Sequence, residues 1–196
     1  MFIVLYGINN LGKSTQAKKL VERMNSEGYK TEYLKYPIYT QEPIGPIINN
    51  YLREGNTHHL TPREAQLLYV LDRTQYEPTL KKKLNQGIHI VAEDYVGTGI
   101  SWGIGAGVDE TFLKKINSHL LKEHIAFLFE GSRFTEATES GHKHETNNEL
   151  IETVRKAHDT LGAENSWIRI NANETIEEIH EKLWSMVALR LNQISH

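Results

Sequence analysis

Cysteine is missing from the sequence altogether. That excludes disulfides and thiolate metal sites and is compatible with a reducing cytoplasm, the expected location. Positive charge is also scarce: 22 Lys and Arg stand against 25 Asp and Glu, a formal net charge of -3. Such a balance provides no broad basic field for nucleic acid, and the short cluster Lys81-Lys82-Lys83 reads as a solvated helix face. Long hydrophobic runs are lacking too. The N-terminal FIVLY carries no basic leader and is too short for a signal peptide or a membrane span, so it reads as a buried strand and no membrane partner is expected. Internal repeats and low-complexity tracts do not occur. What remains, 39% hydrophobic and 24% charged, is the composition of an ordinary globular protein. A length of 196 residues suits a single domain over 1–196 with one sizeable core.

Short apolar runs alternate with helical periodicity along the chain. Strands are expected at residues 2–6, 31–36, 88–92, 124–129 and 167–170. Helices are expected at 13–27, stopped by Gly28, and at 46–54. The next begins at Thr61-Pro62-Arg63-Glu64, a capping box with proline at the first helical position, and runs to about 85 with Pro78 inside it. Three more are expected at 110–122, 148–161 and 175–191. The segment EDYVGTG after the third strand reads as a polar and glycine-rich stretch. Residues 130–147, polar and without apolar periodicity, read as a mobile loop or lid. The resulting expectation is an α/β fold in three layers, α/β/α, with a parallel sheet of about five strands.

The motif that carries chemistry is YGINNLGKST, residues 6–15. Gly7 and Gly12 are separated by four residues and followed by Lys13 and Ser14, between a predicted strand and a predicted helix. In this phosphate-loop pattern Gly7 and Gly12 let backbone N–H groups converge on phosphates. The helix N-terminus adds partial positive charge, Lys13 reaches the outer phosphates and Ser14 can ligate Mg²⁺. Asn10 and Thr15 complete the expected ATP-binding set, with ATP and Mg²⁺ as the expected cofactors. A carboxylate belongs near the metal, and Glu93-Asp94 follows the third strand directly. In extended backbone the two would point to opposite sides, so only one is expected to face the nucleotide. Glu93 is the choice for the metal's water shell and for catalysis.

Taken together, several segments resemble the thymidylate kinase family, within the wider group of nucleoside monophosphate and deoxynucleoside kinases. They are GINNLGKSTQAKKL, KYPIYTQEPIGPIINNYL, LLYVLDRTQYEPTLKKKLNQGIHIVAEDYVGTGISWG and INANETIEEIHEKLW, in this order. The resemblance implies a P-loop kinase fold, ATP-dependent phosphorylation of dTMP, small-molecule nucleotide partners and a homodimer. It implies that Tyr69 stacks on the acceptor base and that Arg73, one turn later, hydrogen-bonds the pyrimidine edge. Thr98 and Trp102 would lie near the base and sugar, with Tyr36, Pro37 and Tyr95 shaping the acceptor pocket. From the residues alone, Tyr69 serves equally as a core position and Arg73 as a solvated one.

The sequence also departs from the family. Asn9 stands where an acid is usual in the loop, and Glu93-Asp94-Tyr95 replaces Asp-Arg-Tyr, so both acceptor-binding positions Asn9 and Asp94 carry changed charge. An arginine expected soon after Pro37 is absent. A dianionic acceptor phosphate needs compensating cations, and Lys35, Arg53, Arg73 or a lid residue would have to supply them. Otherwise the acceptor is an uncharged nucleoside, as in the deoxynucleoside kinases. A non-kinase nucleotide-binding regulator is the remaining alternative, although no guanine-specifying Asn-Lys-x-Asp run is present. Since the loop residues between Gly7 and Gly12 include no cation, Arg133 in the lid is expected to neutralise the transition state, with Lys143 next. His142 and His144 read as loop residues. Asn171 and Asn173 read either as donor-base contacts or as turn and cap residues.

Overall fold

The computed structural model describes residues 1–132 and 148–194. Five parallel strands lie in the order β2-β3-β1-β4-β5, where β1 is Phe2–Tyr6, β2 Thr31–Lys35, β3 His89–Glu93, β4 Ile125–Glu130 and β5 Ile168–Asn171. The described helices are α1 (Lys13–Ser26), α2 (Ile44–Arg53), α3 (Pro62–Asn85), α4 (Val96–Gly105), α5 (Glu110–Asn117), α6 (Asn148–Glu164) and α7 (Ile176–Ile194). Central β1 is buried along its entire length, and its side chains alternate between two cores. Ile3 and Leu5 join the apolar cluster beneath α1, α6 and α7; Phe2, Val4 and Tyr6 join the one beneath α3, α4 and α5. This two-sided burial produces a continuous apolar run with three layers, each large side chain contributing about 1.5–3 kcal/mol of transfer free energy.

The expected helix start at Thr61 is present: the Glu64 N–H donates to Thr61 Oγ1 at 3.3 Å and the Thr61 N–H to Glu64 Oε2 at 2.7 Å. Pro78 lies inside an uninterrupted α3. Three expectations are corrected. First, α5 stops at Asn117 rather than near 122. Second, α6 does not end at 161 but runs through Gly162, where a Cβ would meet Leu128 at 2.9 Å, to Glu164. Third, the segment after β3 forms a helix, α4, that the sequence pattern hides.

Glycine occupies four of the ten positions of α4, a composition that disfavours a helix by roughly 1 kcal/mol per residue relative to alanine. Tertiary contacts override that preference. A Cβ on Gly97 would overlap the Trp167 ring, one on Gly99 would stand 2.9 Å from the Arg73 guanidinium, one on Gly103 2.7 Å from Leu113, and one on Gly105 would press on Val154. Missing side chains on both flanks let α4 settle between α3, α5 and α6.

His158 on α6 is 2% exposed, with Nδ1 3.0 Å from the Val154 carbonyl oxygen. Burial is the main cause pushing its pKa down from 6.5 to about 3, with nearby Lys13 assisting and the Val154 hydrogen bond opposing. As pH falls through 6.5, the unfolded chain takes up a proton that the folded chain refuses until about pH 3. Between pH 6.5 and about pH 3, stability should therefore decline on acidification by about 1.4 kcal/mol per pH unit from this group. Denaturant unfolding at a series of pH values should show a shallower acid slope for His158→Leu than for the native chain; equal slopes would contradict this account.

Candidate functional site

β1 ends at Tyr6, and the chain turns through residues 7–12 into α1. Positive φ values at Gly7 (133°), Asn10 (63°) and Gly12 (79°) curl the backbone around the helix start, two on glycine and one on a short polar residue that tolerates the left-handed region. Gly7 also permits close approach: a Cβ would lie 2.7 Å from the Phe129 carbonyl oxygen on β4. Lys13 is 4% exposed and folds back over the loop, its Nζ donating to the carbonyls of Gly7 at 2.9 Å and Ile8 at 2.8 Å.

The ends of β2 and β3 supply the opposing charge. Lys35 and Glu93 are register partners across the two strands, and Lys35 Nζ donates to Glu93 Oε1 at 3.1 Å. The Tyr33 hydroxyl donates to Glu93 Oε2 at 2.7 Å. Burial works to raise the Glu93 carboxyl, but Lys13, Lys35 and hydrogen bonds from Tyr33 and Ser14 outweigh it and hold the pKa below the ordinary value. The expectation that only one of Glu93 and Asp94 faces the nucleotide loop is corrected. Asp94 is not extended; its φ of 62° turns it back towards the same cavity. Its Oδ1 accepts from Thr98 Oγ1 at 2.9 Å and stands 3.7 Å from Lys13 Nζ. Burial raises its pKa, with Lys13 opposing and the adjacent Glu93 reinforcing the rise.

A cavity of about 780 Å³ opens from this charge cluster, within the usual size range of small-molecule sites. Of the expected residues, Asn9, Asn10, Gly12, Lys13, Ser14, Thr15, Tyr36, Pro37, Tyr69, Arg73, Glu93, Asp94, Tyr95, Thr98 and Trp102 line it. Gly7 instead faces a smaller recess behind the loop, beside His158. Arg133, Lys143, His142 and His144 lie outside the described residues. In its wall, α3 presents Gln66, Tyr69 and Arg73 at helical spacing. Arg73 is 3% exposed, and its Nη2 donates to Asn117 Oδ1 at 2.9 Å. Lys35 and Arg53 also line the cavity, with the Arg53 guanidinium 4.4 Å from the centre of the Tyr39 ring.

The family model described as thymidylate kinase matches residues 5–183. The chain belongs to the thymidylate kinase family. The thymidylate kinase of Plasmodium falciparum is 29% identical over 186 residues, covering 93% of this chain and 87% of the relative. That of Homo sapiens is 28% identical over 190 residues, with coverages of 92% and 86%. A solved structure of thymidylate kinase from Candida albicans shares the fold at a TM-score of 0.80 and 21% identity, covering 97% of this chain and 92% of that one.

Within this thymidylate kinase family member, oxygen donors suit a hard cation. Among the described residues no group of three or more His, Asp or Glu side chains is placed to hold a metal. The Ser14 hydroxyl and the Glu93 carboxylate, bonded to one another, are the donor set expected of Mg²⁺ shared with phosphates. Asn171 and Asn173 are turn residues: the Asn173 N–H donates to Asn171 Oδ1 at 3.1 Å, and the Ser132 N–H to Asn173 Oδ1 at 2.9 Å. The wall beside them consists of Ala172, Glu174, Thr175, Ile176 and Ile179, and Gln16 Nε2 ties it to α1 by donating to the Ile176 carbonyl at 2.8 Å.

Sequence reasoning missed Tyr33, Gln66 and Asn117. Tyr33 and Lys35 share a strand face, and Gln66, Tyr69 and Arg73 share a helix face, so both groups could have been found from periodicity. Asn117, 44 residues from Arg73, carries no such signal. The tight glycines of α4 separate fold from site. Gly97→Ala overpacks the Trp167 and Tyr6 rings and should lower stability by about 1–3 kcal/mol in thermal unfolding. Gly99→Ala meets only the far end of an arginine and should cost clearly less, so an equal loss for the two would refute this distinction.

Proposed function

We propose that this chain transfers the γ-phosphoryl group of ATP to dTMP, giving dTDP and ADP. The observation that carries this reading is that the phosphate loop and the Tyr69–Arg73 face line one cavity, together with a cluster of Lys13, Lys35, Glu93 and Asp94. Gly12, Lys13, Ser14, Thr15 and the Asn10 backbone hold the donor phosphates. Lys13 exchanges the Gly7 and Ile8 carbonyls for phosphate oxygens, trading neutral acceptors for charged ones. Tyr69 stacks on the thymine and Arg73 donates to its carbonyl edge. Asn9, Tyr36, Pro37, Tyr95, Thr98 and Trp102 enclose the sugar and base. Lys35 and Arg53 supply positive charge for the acceptor phosphate in place of the arginines that the family usually carries.

In the transfer an acceptor phosphate oxygen bonds to the γ-phosphorus as the bond to the β,γ-bridging oxygen breaks. The attacking oxygen is already anionic, so no base is required. Mg²⁺ held by Ser14 and Glu93 would neutralise developing charge on the donor phosphates. Arg133 is assigned to the same charge from the lid. A second reading, a deoxynucleoside kinase, is favoured by one observation: Asp94, bonded to Thr98, puts a carboxylate where an acceptor hydroxyl would use it and a phosphate would not.

A coupled ADP-release assay with ATP and Mg²⁺ over dTMP, dUMP, dCMP, dGMP, dAMP and the corresponding deoxynucleosides separates these readings. Turnover should require dTMP. Turnover with nucleosides alone would establish the second reading, and silence with every acceptor would overturn both. In the same assay Lys13→Ala should lower kcat by about a thousandfold or more with an unchanged circular dichroism spectrum. Activity near that of the native chain would remove the phosphate loop from the mechanism.

A further inference from the structure

The cavity wall includes no residue of α5, yet α5 reaches the site through one hydrogen bond. Asn117, its last residue, is 4% exposed and has both ends of its amide engaged. Its Nδ2 donates to the Leu113 carbonyl at 2.8 Å, which fixes the amide's rotation; its Oδ1 then accepts from Arg73 Nη2 at 2.9 Å. Arg73 stands on a flexible stem, and its guanidinium occupies space that exists only because Gly99 has no Cβ. Asp72, next to it in sequence, accepts from the Ile38 N–H and acts on Arg73 through charge, without a hydrogen bond that would aim it. Asn117 is therefore the described side chain that decides where the fork points. Arg73 Nε is buried without a partner among the described residues, and the Arg73 side chain lines the cavity.

We propose that Asn117 is a positioning residue for acceptor-base recognition: it holds the Arg73 guanidinium in its receiving orientation before the nucleotide arrives. This rests on the reading of the α3 side of the cavity as the acceptor-base site. An arginine offers donors only, so a fork held in place favours a base with a carbonyl at that edge, such as thymine, over one with an amino group, such as cytosine. A fork released from Asn117 must be ordered during binding, which weakens affinity and blurs that preference.

The test compares steady-state kinetics of the full chain with dTMP and dCMP. Asn117→Leu should raise the KM for dTMP about tenfold, leave kcat within about twofold, and reduce the dTMP over dCMP preference in parallel. Asn117→Asp keeps the Oδ1 acceptor but loses the Nδ2 donor to the Leu113 carbonyl, so it should raise the KM clearly less than Asn117→Leu does. In an Arg73→Ala background, Asn117→Leu should add nothing to KM, because the group it positions is gone. Should Asn117→Leu fail to fold, Asn117→Ser, too short to reach the guanidinium, carries the same comparison. An unchanged KM and preference would overturn the proposal, as would an equal rise in KM with and without Arg73. If the native chain turns over dTMP while the variants behave as the native chain does, the positioning role alone fails. If the native chain does not turn over dTMP, the acceptor reading fails and the proposal falls with it.

Discussion

Charge balance where β1, β2 and β3 end is the constraint around which the rest of the site is arranged. Lys13, Lys35, Glu93 and Asp94 meet there, with Lys13, Glu93 and Asp94 largely withdrawn from water. A carboxylate taken out of water costs several kcal/mol unless it is paired and hydrogen-bonded. Each of these is: Glu93 by Tyr33, Lys35 and Ser14, and Asp94 by Thr98 with Lys13 close by. The parallel register that sets Lys35 opposite Glu93 and the left-handed backbone at Asp94 are what bring the partners into reach. Removing any one of them would leave an uncompensated buried charge, so the cluster fixes the geometry of the loop and of two strand ends together.

That same balance gives meaning to the departures from the family pattern. An arginine exchanged for Asp94 would leave the phosphate end too negative if Lys13 and Lys35 did not already face the two carboxylates. Here cations and carboxylates alternate, so arriving phosphates compete with Glu93 and Asp94 for the lysines rather than entering an open positive field. Asp94 is the more replaceable competitor: it stands 3.7 Å from Lys13 Nζ, whereas Lys35 donates directly to Glu93. On the α3 side the cavity carries a buried guanidinium, Arg73, hydrogen-bonded to a neutral amide.

Close packing links this polar machinery to the core. Arg73 can sit beneath the cavity because Gly99 leaves room, and α4 can approach β1 and α6 because Gly97 and Gly105 do the same. The aromatic shell around Arg73, with Tyr36 and Tyr95 rings 5.2 Å apart, keeps the guanidinium out of bulk water. Burial there lowers the arginine's pKa without threatening its charge. A rigid, dry wall of this kind makes small changes in side-chain direction matter to what binds.

Resemblance to a known family, not local chemistry, pointed to the acceptor-side lining; the linear sequence by itself determined the strands, the phosphate loop and the start of α3. Local chemistry suffices for these: apolar runs must be buried, glycines must take positive φ, and a capping box starts a helix wherever it occurs. Helical spacing puts Tyr69 and Arg73 on one face of α3, but does not say where that face points. Tertiary structure decided the rest. Four glycines made α4 look like a loop, since their value lies in neighbours the sequence does not reveal. Glu93 and Asp94 looked divergent because strand alternation was carried one residue past the end of β3. Asn117 acts through a contact 44 residues away, a distance over which no periodic signal survives. Residue type sets what a group can do, but for a charge or an amide in the interior only folding determines which partner it meets.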